Sequence, residues 1–210
     1  MPAKGEHGGQ AEFLRDELRP RLEQAKKGKR TVLFVDAAHF VHGPNLGYLW
    51  CLVRLFVPGP SGRQRYNVLA ALDAITHRLV RVSNHAYINA ESACTLLREV
   101  ASAGFSRPIT LVLDNARYQK CQVVTALAAS LRIELLYLPG YSPNLNLIER
   151  VWKFVKKECL GSRVLPTYEA FTAAIDDGLA NLNARHKQQM ASLLTLEFQL
   201  FDDDMPVMAA

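Results

Sequence analysis

The sequence carries only four cysteines in 210 residues, and no two of them form a C-x-x-C pair. Cys51, Cys94, Cys121 and Cys159 are spread along the chain. That spacing argues against a structural zinc site and a disulfide framework, and fits a reducing compartment. Long hydrophobic runs are also missing: no window approaches the roughly 18 uninterrupted apolar residues of a membrane span. Residues 1–10 are polar, and no apolar core of a secretion signal follows. A cytoplasmic location without membrane contact is therefore expected. Internal repeats and low-complexity tracts are absent too, which excludes solenoids and fibrous architectures.

About half the residues are hydrophobic, enough for one domain with a real core and short appendages. The net charge is +5, unevenly spread. Residues 197–210 hold Glu197, Asp202, Asp203 and Asp204 and no Lys or Arg, so residues 1–196 set 25 bases against 16 acids, a balance of +9. A basic body is compatible with a nucleic-acid partner without requiring one.

The apolar pattern divides the chain. Residues 1–10 read as a leader and 11–27 as an amphipathic helix that stops at Gly28. Lys26, Lys27, Lys29 and Arg30 cluster at its end, either as a solvated helix terminus or as a phosphate-binding cluster. Residues 31–35 form an apolar run ending at Asp36, the pattern of a strand buried on both faces. Residues 48–57 and 65–74 read as a hairpin across the turn at 58–62, and 79–82 as a further strand or an extension. Then come a helix over 89–103 stopped by Gly104, an apolar strand over 108–113 ending at Asp114, a helix over 118–131 and a strand over 133–138. A Pro/Gly/Ser/Asn-rich turn leads into a helix over 144–159, and Thr167 caps a last clear helix reaching Asn183. Crossover helices between apolar strands imply parallel pairing, and the early hairpin an antiparallel edge. The expected fold is an α/β mixed sheet with helices on both faces. The first strand and the strand at 108–113 should lie side by side.

Three acids stand out. Asp36 and Asp114 each follow an apolar strand, where an Asp can equally serve as a turn or cap residue. Glu149 sits in the first turns of the helix after the Pro-rich segment. Three carboxylates in one pocket repel, so without a cation one stays protonated or the site splays. A hard divalent ion reverses that balance, and a pair of ions about 4 Å apart can clamp both oxygens of an in-line phosphoryl displacement. Leu145, Ile148, Trp152, Val155 and Cys159 form the buried stripe of this helix. Glu149, Lys153, Lys156 and Lys157 fall on other faces, either as ordinary surface ion pairing or as contacts to a DNA backbone. Arg117 and Lys120, just beyond Asp114, are further candidate DNA contacts. Asp73 is expected to be structural, and His39 to be a packing or hydrogen-bonding residue.

The blocks Val35-Asp-Ala-Ala-His39, Leu111-Val-Leu-Asp-Asn-Ala-Arg-Tyr118 and Leu138-Pro-Gly-Tyr-Ser-Pro-Asn-Leu-Asn-Leu-Ile-Glu-Arg-Val-Trp152 resemble the DDE catalytic domain of mariner-type bacterial insertion-sequence transposases. The 34 residues between Asp114 and Glu149 match the spacing of that family's last two acids. The likeness runs over about residues 31–185 and extends into 193–201. It implies a five-stranded RNase H-like domain over 31–185, between a leader with its helix (1–30) and a C-terminal tail (186–210). It further implies two Mg²⁺ or Mn²⁺ ions held by Asp36, Asp114 and Glu149, with Asn115 as a partner of Asp114. The implied activity is cleavage and strand transfer of DNA at transposon ends, carried out by a homo-oligomer on DNA and so associated with the nucleoid. Many relatives place a Glu directly after the first Asp, whereas this chain has Ala37-Ala38-His39, so roles of the neighbours of Asp36 do not transfer. Such transposases usually carry a helix-turn-helix region first, and only thirty residues precede the first strand here. Recognition of the ends is then expected from a separate chain, or the protein is a catalytically idle DNA-binding or assembly remnant. A general nuclease on the same fold is a third reading.

Overall fold

The structure is a computed structural model describing residues 7–43, 63–106, 108–161 and 163–200. The strand expected at 48–57, its turn at 58–62 and the acids 202–204 lie outside the described residues. Five strands form one sheet: β1 (Thr31–Val41), β2 (Arg65–Asp73), β3 (Leu79–Asn84), β4 (Ile109–Leu113) and β5 (Ile133–Tyr137). Their spatial order is β3-β2-β1-β4-β5. The first three pair antiparallel, and β1, β4 and β5 pair parallel through the crossover helices α3 (Ala90–Ser102) and α4 (Gln122–Ser130).

Two sequence expectations change. β1 does not stop at Asp36 but continues to Val41 along β2. The residues past Asp36 alternate, with Ala38 and Phe40 buried and His39 and Val41 exposed, so this half of the strand has one solvated face. The hairpin partner of β2 is β3, because both edges of β2 are occupied, by β1 on one side and β3 on the other. Asp73 turns that hairpin: its Oδ1 accepts the backbone N–H groups of Ile75 at 2.8 Å and Thr76 at 2.7 Å.

Period two along β1 sorts its side chains between two cores. Leu33 and Val35 face α3 and α4. Val32, Phe34, Ala38 and Phe40 face the other layer, built from α1 (His7–Phe13), α2 (Arg19–Lys26), α5 (Ile148–Val155), α6 (Tyr168–Ala180) and α7 (Lys187–Leu193). A π-helical turn, Leu14–Leu18, joins α1 to α2. The helix limits follow local chemistry. Asn89 accepts the Ser92 N–H at 3.0 Å and Thr167 the Ala170 N–H at 3.1 Å, each satisfying a first-turn donor. Gly28 and Gly104 take positive φ where α2 and α3 end. The C-terminal tail is partly built into the core: Arg150 donates to the backbone carbonyls of Leu193, Thr195 and Glu197, and Phe198 lies 6.0 Å from Phe34.

Candidate active site

The parallel register brings the first two acids to the same end of neighbouring strands. The ladder ends with Phe34 opposite Val112, Asp36 and Asp114 each follow two residues later, and the charge of Asp114 is felt at Asp36. Asp36 shares the parity of Phe34 and Ala38, so it points to the layer that contains α5. The segment between β5 and α5 is stitched to both strands. The Leu138 N–H donates to the Leu113 carbonyl at 2.8 Å, and Asn115 Nδ2 donates to the Leu138 carbonyl. Asn146 Nδ2 donates to the carbonyl of Val35, the residue before Asp36, at 3.3 Å. Glu149 follows in the first turn of α5. Ile148, Trp152 and Val155 anchor that helix in the core, with Leu145 and Cys159 buried at its flanks.

Asp114, Asn115, Asn146 and Glu149 line a cleft of about 380 Å³ together with residues 138–143. A second cleft, of about 540 Å³, shares Pro143, Asn146 and Glu149 and adds Arg150 and Lys153. Asp36 lines neither cleft; it is mostly buried, with the indole Nε1 of Trp152 donating to its Oδ2 at 2.9 Å. Burial pushes its carboxyl up to about 7, and the charge of Glu149, then that of Asp114, push in the same direction. The Ala37 N–H and the Trp152 indole only partly offset this. Burial likewise pushes the Tyr118 phenol up to about 12, with Asp114 and Asp36 adding to it, so this neighbour stays neutral. Asp36 therefore senses both other acids and is poised between its two protonation states near neutral pH.

A hard divalent cation suits this donor set. The ligating atoms on offer are carboxylate oxygens, and their mutual repulsion is what such a charge relieves. Among the described residues the buried Asn146 Oδ1 has no hydrogen-bond partner while its Nδ2 donates to Val35, so one further hard oxygen lies beside Asp114 and Glu149 in the cleft. Among the described residues, no three His, Cys, Asp or Glu side chains already stand close enough to share an ion. The residues fit a metal by chemistry and charge, and closing a shell requires them to draw together.

The other candidates scatter. Asn115 adopts φ of +74° and spends its amide on Leu138, where the sequence suggested a partner for Asp114. Lys153 shares a cleft with Glu149, but among the described residues no ion pair joins them. Lys156 and Lys157 are exposed on the π-helical turn after α5, outside both clefts. Arg117 is exposed on a 3₁₀ turn, and Lys120 lies 5.1 Å over the Tyr137 ring. His39 bonds to Asn67 at 2.7 Å. Sequence reasoning missed the parts played by Trp152, Asn146 and Tyr118. Trp152 was legible in principle, since a residue three after Glu149 on a helix shares its side.

Comparison with known proteins fits this geometry. Residues 31–172 match the DDE superfamily endonuclease family. The chain belongs to that family. All three acids fall within the matched span. The sequence is 27% identical over 127 residues to an uncharacterised 39 kDa protein of insertion element IS630 from Shigella sonnei. That alignment covers 58% of this chain and 36% of the relative, so the chain spans little more than a third of it. Among solved structures, the DDE fold seen here is similar to the Mos1 mariner paired-end complex with Mn, at a TM-score of 0.60 and 15% identity, over 95% of this chain and 66% of the other. The Mos1 transposase catalytic domain with raltegravir and Mg gives 0.50 at 16% identity, over 90% and 97%. At such identities the likeness carries the fold alone: an RNase H-like mixed sheet of five strands with helices on both faces.

Proposed function

We propose that this chain is the catalytic domain of a DNA transposase, cutting and rejoining DNA phosphodiesters at transposon ends. The observation that carries the reading is the convergence of three acids: Asp114 and Glu149 line one cleft, and Asp36 is bonded to Trp152 on the same helix as Glu149, near enough to feel both charges. Asp36, Asp114 and Glu149 would hold Mg²⁺ or Mn²⁺, two ions in the full assembly, with Asn146 Oδ1 available to a bound water. When bound, the ions supply charge stabilisation to the attacking and leaving oxygens. The chain itself supplies placement. Parallel pairing brings Asp36 and Asp114 to the same end of neighbouring strands, the Asn146 and Asn115 bonds fix the turn that presents Glu149, and Trp152 orients Asp36. Such fixing matters because phosphoryl transfer tolerates little error in ligand position. Asn115 thus acts on the site through Leu138.

The catalytic unit would span residues 31–185, with DNA as substrate and target and Lys153 the basic residue best placed to meet it. Arg117, Lys120, Lys156 and Lys157 would contact DNA further out. Assembly as a homo-oligomer on DNA, with recognition of the ends by a helix-turn-helix region on a separate chain, completes the proposal. The described residues contain no helix long and apolar enough to cross a membrane; the proposal includes a cytoplasmic location, at the nucleoid when bound to DNA. An idle remnant would have no need to keep a mostly buried Asp36 within reach of the charges of Glu149 and Asp114.

The test is incubation with Mg²⁺ or Mn²⁺ and DNA bearing candidate ends, beside Asp114→Ala and Glu149→Gln. Wild type should nick or join these ends and both variants should not. Equal products from all three, or none with either metal, would end the catalytic reading. Equal cutting of DNA without ends would instead indicate a general nuclease.

A further inference from the structure

A second site lies on the same sheet, away from the acids. A cleft of about 510 Å³ opens between the start of β2, the segment after β3 and the start of α6, and Arg63, Arg65, His85, Tyr87 and Tyr168 line it. No carboxylate is among its lining residues. Tyr87 is 79% exposed there, an unusual state for a large aromatic side chain. Among the described residues the guanidinium groups of Arg63 and Arg65 form no ion pair.

The floor of this cleft is fixed. The Tyr168 hydroxyl donates to the Arg65 carbonyl at 2.6 Å, so it must accept from His85 Nδ1, 2.7 Å away, and the His85 proton is thereby assigned. Asn67 ties the wall to β1: its Oδ1 meets His39 Nδ1 at 2.7 Å, and its Nδ2 donates to the Ala86 carbonyl at 2.7 Å. Location gives the cleft its meaning. Arg65 pairs with Val41 at the end of β1, five residues beyond Asp36 on the same strand, roughly 17 Å at the rise of an extended chain.

We propose that this cleft binds an unpaired DNA strand leading away from the three acids, with phosphates on Arg63 and Arg65 and a base stacked on Tyr87. Arginine supplies charge and a planar donor fork to phosphate, and an exposed aromatic ring offers a base a face without demanding its sequence. The inference rests on the reading of the chain as a DNA-acting domain.

The experiment measures anisotropy of a labelled short thymidine oligonucleotide with the full chain, in EDTA, across a range of KCl concentrations. EDTA takes the metal site out of the measurement. Removing two phosphate contacts in Arg63→Gln/Arg65→Gln should flatten the dependence of log Kd on log salt by about 1.4, at roughly 0.7 per phosphate on a single strand. Tyr87→Ala should weaken binding about tenfold, with Tyr87→Phe close to wild type. Arg132→Gln, exposed just before β5 at the far edge of the sheet, should leave the slope unchanged, and matched thermal unfolding shows that the variants are folded. The proposal falls if the double variant keeps the wild-type slope, if Arg132→Gln flattens it equally, or if Tyr87→Ala binds as tightly as wild type. Any of these would leave the catalytic reading standing. Wild type failing to bind DNA even at low salt would instead remove the DNA-acting reading itself.

Discussion

Where the parallel strands begin, Glu134 on β5 accepts from Arg21 at 2.6 Å, from Thr110 at 2.7 Å and from Arg30. The Arg21 bond, more than any other contact, holds its carboxyl down at about 2. Toward the other end of the same strands, Asp36 has an indole and a backbone N–H for partners, two further acids for neighbours, and a carboxyl pushed up to about 7. One sheet thus carries a carboxylate matched to its surroundings and another set against them. The matched one ties α2 to β4 and β5 and serves the fold. The mismatched one costs stability, and a fold retains such a cost where a cation or substrate is to relieve it.

The sharpest way to break this contrast is Asp36→Asn. Cleavage should fall by about a thousandfold or more, the scale of losing several kcal/mol of transition-state charge stabilisation. The metal-free protein should nevertheless become more stable at pH 8. The carboxyl of Asp36 is raised on folding, so its contribution is full below about pH 4 and is lost as pH rises through about 7. A rise of that size corresponds to at most about 4 kcal/mol. Urea unfolding at pH 5 and pH 8 should show wild type weakening between them while Asp36→Asn stays nearly flat. An equal loss in both proteins would mean that burial and repulsion at Asp36 are not the cause. Glu134→Gln should do the reverse: cleavage unchanged and stability at pH 7 lower by about 1–3 kcal/mol, as expected for losing hydrogen bonds to a charged group. Its folded pKa is depressed, so the wild-type advantage is present above about pH 4.5 and vanishes as pH falls through about 2. An unfolding series down that range checks it, and a Glu134→Gln protein as stable as wild type would remove the structural role.

The two ends were not equally legible in the sequence. The apolar runs around Leu33 and Leu111 announced central strands, and helices between them required parallel pairing, so Asp36 and Asp114 could be expected as neighbours. Composition around Glu149 announced a rigid turn before a helix. Beyond that, local pattern ran out. The change after Asp36 from a continuous apolar run to alternation was present in Ala38, His39, Phe40 and Val41, but a single charged residue is easily read as a strand's end. β3 was hard to recognise because Arg81 interrupts it, and its charge is met by Asp176 on α6, 95 residues away. Bonds such as Trp152 to Asp36 or Asn146 to Val35 join residues more than a hundred positions apart. They depend on how α5 docks, which periodicity does not report.

Those two long-range bonds give the finer predictions. Trp152→Phe keeps an aromatic ring against Phe40, 6.3 Å away, but removes the donor that favours the charged form of Asp36. A hydrogen bond to a charged group is worth about 1.5 kcal/mol or more, so the pH at which the metal-free protein loses stability should rise by about 1. A midpoint left unmoved would show that Trp152 only packs.

Asn146→Ala should act least, lowering stability by about 1 kcal/mol through loss of a neutral hydrogen bond. The effect stays small because the substitution also removes the buried Oδ1, which has no partner of its own. A much larger loss would mean that this oxygen is satisfied in solution, by a bound water for example. Either value separates a residue that merely stitches the turn to β1 from one that also holds solvent beside the three acids, because only the second should lose Mn²⁺ affinity in calorimetry.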